Sequence, residues 1–369
     1  MNIFYNYWLA NIPGIGNKKI QEILKYTKDA KTVYNLSKKQ LKEFEFLTVK
    51  NIQMILEAQN DYQIKEQFEN MQKKGVAFVC ELEEEYPDKL RNLVDAPFGL
   101  YIKGRLPSEI KPSVAIIGAR RCSPYGREVA RKFGEEFAQY GIQIISGLAR
   151  GIDGIGQMSA VEAGGESFGV LGCGVDICYP RENIELYMQI QKKGGLLSEY
   201  PIGTQPRANL FPYRNRLISG LADVLLIIEA KVKSGTFITV EYALEQGKDV
   251  FVVPGRINDA LSQGCNELIK QGAGIVTSFQ DILDVFGVKS EKKCLENIKN
   301  QLNTNLALEK KQLIVYSCLS LEPKSIETII QEVNLSIPEL TNIIVTLQMM
   351  GLIYEPARNY YVRTSIKEG

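Results

Sequence analysis

The sequence predicts an α/β protein built around a doubly wound, mostly parallel β-sheet. Short, continuous apolar segments begin at Val114, Ile142, Phe168 and Val224, and helical stretches separate them. Such segments indicate strands that are buried on both faces of a parallel sheet. Small residues such as Gly118 and Gly147 follow several of these strands, where they would leave backbone N–H groups free to bind an anion. The carboxyl ends of parallel strands face the ligand crevice. We therefore expect a phosphate-binding crevice at that edge of the sheet, within residues 113–255.

Composition excludes several other classes of protein. The 369 residues suffice for two or three domains, and the chain has no apolar run that could span a bilayer. The first residues lack the pattern of a signal peptide, so we expect none. Seven scattered cysteines are typical of a reducing cytosol. The absence of histidine excludes histidine-dependent nucleophilic catalysis and histidine metal ligands. We expect a cytoplasmic protein without a membrane partner, a metal or a cofactor.

Positive charge is concentrated in two segments, although the net charge of the chain is only +1. Residues 103–132 contain eight Lys and Arg against two Glu, and residues 192–216 contain five against one. Both segments flank the predicted crevice, where cations would attract phosphate. On charge alone, an ordinary solvated helix face explains these segments equally well.

Further regions surround the predicted core. Residues 1–65 have helical periodicity and predict a helix-hairpin-helix or SAM-like domain, and residues 66–107 predict a connector that docks on the core. Residues 108–288 form the Rossmann-like core. A polar linker at 289–306 then leads to a winged-helix domain at 307–366.

A turn near the start of the chain is a possible secondary DNA contact. The residues from Ile12 to Lys19 resemble the turn of a helix-hairpin-helix. In such a turn, Gly14 and Gly16 would let the backbone approach a phosphate, which Lys18 would help to hold. A helical bundle that uses the same turn only to reverse the chain is the alternative.

The last sixty residues have the pattern of a winged helix, with three helices and a β-hairpin. Ser325 is placed to cap the second helix, and Ser336 with Glu339 has the spacing of a capping box for the third. The third helix, residues 337–350, contains no Lys or Arg. Because a DNA-reading helix needs cations to reach phosphates, we favour a protein-contact module over a DNA reader or a transcription regulator.

The glycine turns lack the signatures of dinucleotide-binding and P-loop enzymes. Gly172-Cys173-Gly174 has Ile177 where a third glycine would stand, and the second strand ends in Ser146 rather than in a ribose-binding acid. No P-loop motif occurs. The turns therefore have the residues to bind a phosphate, but they lack the residues that bind a ribose or hydrolyse a nucleotide.

Residues 211–220 combine an aromatic side chain with two guanidinium groups. Arg214 and Arg216 flank Asn215, and the three residues lie between Phe211 and a predicted helix. Arginine binds phosphate oxygens in a bidentate manner, and aromatic side chains stack on unpaired bases. A structural Arg-Asn network that ties a helix to the sheet is the alternative.

Several ordered motifs together resemble the DNA-processing protein DprA/Smf family. They are VAIIGAR, SGLARGID, VLGCGVDICYP, LLSEYP, FPYRNRLISGLAD, IIEAKVKSGTFIT and EQGKDVFVVPG. With the flanking domains, the resemblance covers nearly the whole chain. It implies a protein that binds single-stranded DNA, forms a homodimer through its Rossmann-like core and loads the RecA recombinase during natural transformation. This role requires no catalysis.

The resemblance also implies site residues. Arg120 matches a strand-end arginine that contacts the DNA backbone. At Gln157 the family commonly has histidine, so we expect no acid/base role for this position. The residues predicted to bind DNA or phosphate are Gly118, Arg120, Ser146, Gly147, Arg150, Gly151, Arg214, Asn215, Arg216, Ser234, Gly235 and Thr236.

A nucleotide-processing enzyme of the phosphoribohydrolase type, on a related Rossmann-like fold, is the second hypothesis. Its carboxylate could come from Glu199, Glu229 or Glu241. Enzymes of this type have a P-G-G-x-G-T turn that is followed by a glutamate, whereas this chain has Lys-Ser-Gly-Thr at residues 233–236. The DNA-binding hypothesis is therefore favoured.

Overall fold

The computed structural model describes residues 3–287, 310–320, 322–333 and 335–364. The chain divides into two compact units. The first comprises Met1–Arg121 and Arg131–Ile275, and the second comprises Cys122–Ala130 and Val276–Gly369. Among the described residues, the first unit holds a nine-stranded sheet and the second a three-stranded sheet.

Six helices precede the first strand in the described part of the chain, and from residue 113 to residue 275 strands and helices alternate. The helices are α1 (Ile3–Ala10), α2 (Asn17–Thr27), α3 (Ala30–Tyr34), α4 (Lys38–Leu41), α5 (Val49–Gln59), α6 (Tyr62–Lys73), α7 (Asp88–Arg91), α8 (Pro124–Gln139), α9 (Ile152–Glu162), α10 (Ile184–Lys193), α11 (Leu210–Leu221), α12 (Gly235–Glu245) and α13 (Gln263–Lys270). The strands are β1 (Ala77–Cys80), β2 (Gly99–Gly104), β3 (Ser113–Ile117), β4 (Gln143–Ser146), β5 (Ser167–Val170), β6 (Gly195–Ser198), β7 (Val224–Ile227), β8 (Asp249–Val252) and β9 (Gly274–Ile275).

The large sheet confirms the predicted α/β, Rossmann-like core. Its strand order is β1-β2-β6-β5-β4-β3-β7-β8-β9. The pairs β1–β2 and β2–β6 are antiparallel, and every other pair is parallel. From β3 the chain adds strands first on one side and later, beginning with β7, on the other. The β3–β7 boundary is therefore the topological switch point, where open α/β sheets bind their ligands.

Apolar side chains explain why these strands are central. All five residues of β3 are buried, and so are all four of β7. On one side of the sheet, Leu217 and Ile218 of α11 belong to the same core cluster as Ile117 of β3 and Ile227 of β7. Burial of such side chains is the main force that holds a helix on a sheet, at about 25 cal/mol per Å² of apolar surface.

The N-terminal helices share a core with the antiparallel edge of the sheet. Tyr7 of α1 lies 5.5 Å from Phe78 of β1 between ring centroids, and the Tyr101 hydroxyl donates to Asn11 Oδ1 at 2.8 Å. The indole of Trp8 donates to the Ala58 carbonyl oxygen at 2.8 Å. These contacts tie α1 both to its neighbouring helices and to the sheet.

The second unit contains the C-terminal helices and a small sheet. Its elements after residue 275 are α14 (Gln280–Val285), α15 (Lys310–Cys318), β10 (Lys324–Ser325), α16 (Ile326–Val333), α17 (Ile337–Met349), β11 (Ile353–Ala357) and β12 (Tyr360–Arg363). The predicted hairpin is present, because β11 and β12 pair in antiparallel fashion. The Ser325 hydroxyl accepts from the Thr328 N–H at 3.3 Å, and Ser336 with Glu339 forms a capping box at the start of α17. Both predicted caps are therefore confirmed.

Within the described part of the chain, no helix has the length and apolar character needed to cross a bilayer.

Candidate nucleic-acid interface

A cleft of about 780 Å³ lies at the carboxyl ends of β3, β4 and β7 in the first unit. Its walls come from residues 117–121 after β3, from the turn after β4, from α11 and from the segment that joins β7 to α12. We call it the strand-end cleft. It lies at the edge of the sheet where the sequence predicted a binding crevice.

Asp153 occupies the position between β3 and β4 where we expected free backbone amides. Its Oδ1 accepts a hydrogen bond from the Gly118 N–H at 3.2 Å, and its Oδ2 accepts one from the Gly147 N–H at 3.3 Å. Burial raises the pKa of Asp153, and the charge of Arg214 opposes this shift. An internal carboxylate thus already binds both amides. The expectation that Gly118 and Gly147 leave their N–H groups free for phosphate is wrong in this conformation.

The remainder of the turn after β4 is closely packed. The Ser146 side chain is fully buried, and its hydroxyl donates to the Ile116 carbonyl oxygen at 2.6 Å. Gly151 has φ +74°, and a Cβ at this position would overlap the Ala119 carbonyl oxygen. Only glycine fits there. Ser146 and Gly151 therefore shape the cleft, and the Ser146 hydroxyl does not line it.

Arg214 forms part of the cleft wall but is 5% exposed. Its Nη1 donates to the carbonyl oxygens of Gly147, at 3.2 Å, and of Val170. Its Nε donates to Asn215 Oδ1 at 3.2 Å. Burial lowers the pKa of Arg214 to about 10, a shift that the negative charge of Asp153 opposes. Most of its donors are thus used inside the protein, while its charge still contributes to the cleft.

Three exposed cations form the rim of the strand-end cleft. Arg120 and Arg121 follow β3, and Lys231 follows β7. Among the described residues that line the cleft, Asp153 is the sole carboxylate, and it is held by internal partners. The cleft is therefore electropositive. Sequence reasoning found Arg120 but missed Arg121 and Lys231, although one is adjacent to Arg120 and the other lies in the motif before Ser234.

The N-terminus of α12 also opens into the cleft. Ser234 is its N-cap residue, and Ser234, Gly235 and Thr236 all line the cleft, as predicted for this turn. The Ser234 hydroxyl is buried and has no hydrogen-bond partner among the described residues. A Cβ at Gly235 would meet no atom within 4 Å, so the backbone there is open to an approaching group. Free N–H groups and the helix dipole make such a terminus suited to an anion.

Two aromatic rings complete one wall of the cleft. Tyr179 and Phe211 stack with ring centroids 5.2 Å apart and an interplanar angle of 25°, and both line the cleft. Tyr179 is 45% exposed. Stacked, partly exposed rings next to cations are the arrangement that holds unpaired bases. Sequence reasoning singled out Phe211 but not Tyr179, which lies before Pro180 in the third strand-end motif.

Arg216 lies outside the cleft. Its side chain is fully buried, and its guanidinium binds Asp95 Oδ2 at 2.8 Å and Glu199 Oε2 at 2.7 Å. It also lies 3.9 Å from the centroid of the Tyr213 ring. The prediction that Arg216 contacts DNA conflicts with this burial, and the alternative of a structural network describes its geometry. Asn215, between the two arginines, does line the cleft.

The remaining predicted residues lie elsewhere. Arg150 is exposed, pairs with Glu182 and is not among the residues that line the cleft. Gly14, with φ +75°, and Gly16, the N-cap residue of α2, form the predicted turn between α1 and α2, and Lys18 is exposed there. Their contact with DNA stays a prediction.

Comparison with known proteins gives the family. The model for the DNA recombination-mediator protein A family matches residues 77–287, which is more than half of the chain. The chain belongs to this family. Membership in the DprA/Smf family assigns it a role in DNA processing and recombination.

Individual members support this assignment over different lengths. The DNA processing protein DprA of Streptococcus pneumoniae is 43% identical over 205 residues, which are 56% of this chain and 72% of that protein. The protein Smf of Synechocystis is 30% identical over 391 aligned positions, covering 97% of this chain and 98% of that protein.

Two DprA structures share the fold. The S. pneumoniae crystal structure matches with a TM-score of 0.67 at 35% identity, over 77% of this chain and 98% of the other. A structure that describes the single-stranded DNA binding mode of DNA processing protein A from Helicobacter pylori matches with a TM-score of 0.52 at 32% identity. That match covers 57% of this chain and 95% of the other.

Proposed function

We propose that the chain binds single-stranded DNA in the strand-end cleft and mediates recombination by loading a RecA-type recombinase onto that strand. The observation that carries the proposal is the cationic rim of Arg120, Arg121 and Lys231 beside the stacked rings of Tyr179 and Phe211. Cations attract the phosphates of any nucleic acid, whereas stacking on aromatic rings requires unpaired bases. The combination therefore favours a single strand over a duplex. The H. pylori relative, which binds single-stranded DNA, supports the same assignment.

The rim is tested by the salt dependence of binding. Fluorescence anisotropy with a single-stranded oligonucleotide of about 20 nucleotides gives the DNA affinity at several salt concentrations. We expect Arg120→Ala and Lys231→Ala each to lower the slope of log affinity against log salt by about 0.7, the contribution of one phosphate contact to a single strand. Lys65→Ala, at an exposed lysine of α6 outside the cleft, is the matched control. Unchanged slopes in both rim variants would refute the cleft as the binding site.

The aromatic wall is tested by preference for single strands. Tyr179→Ala removes one stacking surface, so single-strand binding should weaken by about 1–3 kcal/mol while duplex binding changes little. Tyr179→Phe retains the ring and should bind as the wild type does. Equal losses on single-stranded and double-stranded DNA would show that the ring does not stack on bases.

We propose that this role involves no catalysis. Among the three glutamates considered for a phosphoribohydrolase, Glu229 is buried and the carboxylate of Glu199 is paired with Arg216, and none of the three lines the cleft. Asp153, the one carboxylate among the described residues that line the cleft, is bound internally. We expect no release of free base from nucleoside monophosphates and no hydrolysis of ATP. If the wild-type chain turned over either substrate and the Arg120→Ala variant did not, this expectation would be contradicted.

Recombinase loading and self-association complete the proposal. We infer a homodimer through the Rossmann-like core, in line with the resemblance of the core motifs to DprA/Smf. In a strand-exchange assay on DNA coated with single-strand-binding protein, the wild-type chain should shorten the lag before a RecA-type recombinase assembles. Arg120→Ala should restore the lag at protein concentrations where it no longer binds the strand. A lag that the wild type does not change would remove the loading role.

A further inference from the structure

Three aromatic rings meet at the surface of the N-terminal helices. Tyr26, in the last turn of α2, is 70% exposed. Its ring stacks on the ring of Phe46, with centroids 6.0 Å apart and an interplanar angle of 24°, and it meets the ring of Phe44 edge-on at 5.6 Å. We call these three residues the Tyr26 cluster. One face of the Tyr26 ring packs on Phe46, and the high exposure of the side chain leaves its other face open to solvent.

Positive charge is concentrated in the segment that carries this cluster. Residues 18–50 contain nine Lys against three Glu and one Asp, a net charge of +5, whereas the whole chain has a net charge of +1. Lys25 and Lys28 lie within two residues of Tyr26, and Lys42 lies two residues before Phe44. These three lysines are exposed, and none of them forms an ion pair with another described residue. Their charges are therefore available to a ligand.

The acidic residues of the segment offset this charge only at one end. Residues 25–42 contain six Lys against a single acid, Asp29, whose carboxylate caps α3 through the Thr32 N–H at 2.9 Å. Glu43 and Glu45 follow this stretch and flank Phe44. The excess of cations thus lies before Phe44, and it is comparable to the excess in the two segments that flank the strand-end cleft.

Cations beside an open aromatic face suit a single-stranded nucleic acid. Lysines attract the phosphates of the backbone, and an exposed ring provides a surface on which an unpaired base can stack. A duplex would occupy the lysines but would present no unpaired base to Tyr26. An acidic peptide would likewise make no use of the open ring.

The Tyr26 cluster is separate from the two DNA contacts considered above. Among the described residues, none before Ile117 lines the strand-end cleft. The predicted turn contact at Gly14 and Gly16 precedes the first residue of α2, whereas Tyr26 lies near the last. Ten residues of helix separate Gly16 from Tyr26, which corresponds to about 15 Å.

We propose that the Tyr26 cluster is a second binding site for single-stranded DNA, which holds a segment of the strand outside the strand-end cleft. The site goes beyond the proposed function, because it would bind a strand whether or not the cleft does. Where both sites bind, a long oligonucleotide gains affinity over one that fills a single site, since its second contact is intramolecular.

Photocross-linking locates the strand on the full chain. The probe is an oligodeoxythymidine of about 40 nucleotides, long enough for two sites, with 5-iodouracil in place of some thymines. Mass spectrometry of the irradiated complex should identify a cross-linked peptide that contains Tyr26, besides a peptide from the cleft. The Tyr26 cross-link should persist in the Arg120→Ala variant. Failure of the cleft and failure of the Tyr26 cluster are therefore distinguishable.

Affinity measurements test the ring and the cations separately. In anisotropy titrations with the same oligonucleotide, Tyr26→Ala should weaken binding about fivefold or more, while Tyr26→Phe should bind as the wild type does. Lys25→Ala, which leaves the three rings in place, should lower the slope of log affinity against log salt by about 0.7. Lys65→Ala, at an exposed lysine of α6, is the matched control, and circular dichroism verifies the fold of each variant.

Three results would overturn the proposal. The first is a wild-type chain without any cross-link to residues 25–46. The second is a cross-link at residues 14–18 in its place, which would assign the contact to the predicted turn. The third is a folded Tyr26→Ala variant that binds the long oligonucleotide as tightly as the wild type does.

Discussion

Arg214 and Asp153 show how a predicted contact can instead be part of the internal structure. Both are buried, and their opposite charges attract each other at the base of the strand-end cleft. The sequence identified the arginine from its motif and the glycines from their strand ends. It did not reveal that the carboxylate of Asp153 turns back onto Gly118 and Gly147, because Gly118 lies 35 residues away from it in the chain. Only the folded turn brings these groups together.

Loss of Arg214 should therefore mainly lower the free energy of unfolding. Arg214→Ala leaves the buried Asp153 without its opposing charge, which typically costs about 3–5 kcal/mol. Urea unfolding measures this change in the free energy of unfolding. Arg120→Ala, at the exposed rim, should change it by less than about 0.5 kcal/mol. Equal stability of the two variants would mean that the charge of Arg214 is free for DNA.

Gln157 holds the turn after β4 without any titratable group. Its Oε1 accepts from the Leu148 N–H at 3.1 Å, and its Nε2 donates to Ser167 Oγ at 3.1 Å and to the Phe168 carbonyl oxygen at 3.0 Å. Leu148 has φ +55°, a conformation that needs such support. The residue type alone indicated that this position cannot act as an acid or base, and the structure adds that it connects α9 to β5 and to the turn after β4.

Gln157→His should make stability depend on pH where the wild type has no titrating group at this position. Burial disfavours the charged imidazole, so its pKa in the folded state falls below the value of about 6.5 in the unfolded chain. As pH falls below about 6.5, the unfolded state takes up the proton and the folded state does not. The free energy of unfolding should then decrease by up to about 1.4 kcal/mol per pH unit, relative to wild type at the same pH. A difference between variant and wild type that stays constant with pH would contradict this.

At the scale of elements, helix α11 explains the different positions of two neighbouring arginines. Residues 214 and 216 are two positions apart in a helix and so point about 200° away from each other. The two side chains therefore cannot both face the strand-end cleft. The sequence predicts that these residues precede a helix, whereas α11 already begins at Leu210. A predicted helix that began at Leu210 would have placed the side chains of Arg214 and Arg216 on different helix faces from the sequence alone.

Arg216 should stabilise the packing of α11 through its ion pair with Glu199. Arg216→Met leaves Glu199, with a side chain 7% exposed, without its partner, and it should lower the free energy of unfolding by about 3–5 kcal/mol. In the folded variant, the salt slope of single-strand binding should stay at the wild-type value, in contrast to Arg120→Ala. Parallel urea unfolding and anisotropy titrations separate the two effects. A stable Arg216→Met protein with a reduced slope would restore Arg216 as a DNA contact.

The central strands and the caps were predictable because their signals are local. Val114–Ile117 form a continuous apolar run, and the cap residues Ser325 and Ser336 lie within three residues of their partners. The antiparallel edge formed by β1 and β2 was not predictable in the same way. Pairing of β2 with β6 joins residues about 95 positions apart, as in Tyr101 with Ser198, and no local pattern fixes such a register.

At the scale of the whole molecule, the strand-end cleft lies entirely in the first unit, and every residue that lines it precedes position 262. Of the cations in the second unit that could compete for DNA, Lys324 pairs with Glu332 at 2.7 Å. Arg363 donates to the Tyr316 carbonyl oxygen at 2.7 Å and lies over that ring. These contacts engage two cations of the C-terminal domain, which we propose is a winged helix, whereas Arg358 is exposed. That this domain serves protein contacts rather than DNA binding stays a prediction.

A chain ending at residue 287 tests this division of roles. Because the cleft cations Arg120, Arg121 and Lys231 remain, its affinity for single-stranded DNA should stay within a few fold of the full chain, and the salt slope should not change. Full-length Arg358→Ala, at an exposed cation of the β11–β12 hairpin, should also bind normally. Anisotropy titrations on both proteins, with circular dichroism to verify the fold, measure this. If a folded, shortened chain loses about a hundredfold in affinity, or about 2.7 kcal/mol, the C-terminal domain is a principal DNA site and the strand-end cleft is not sufficient.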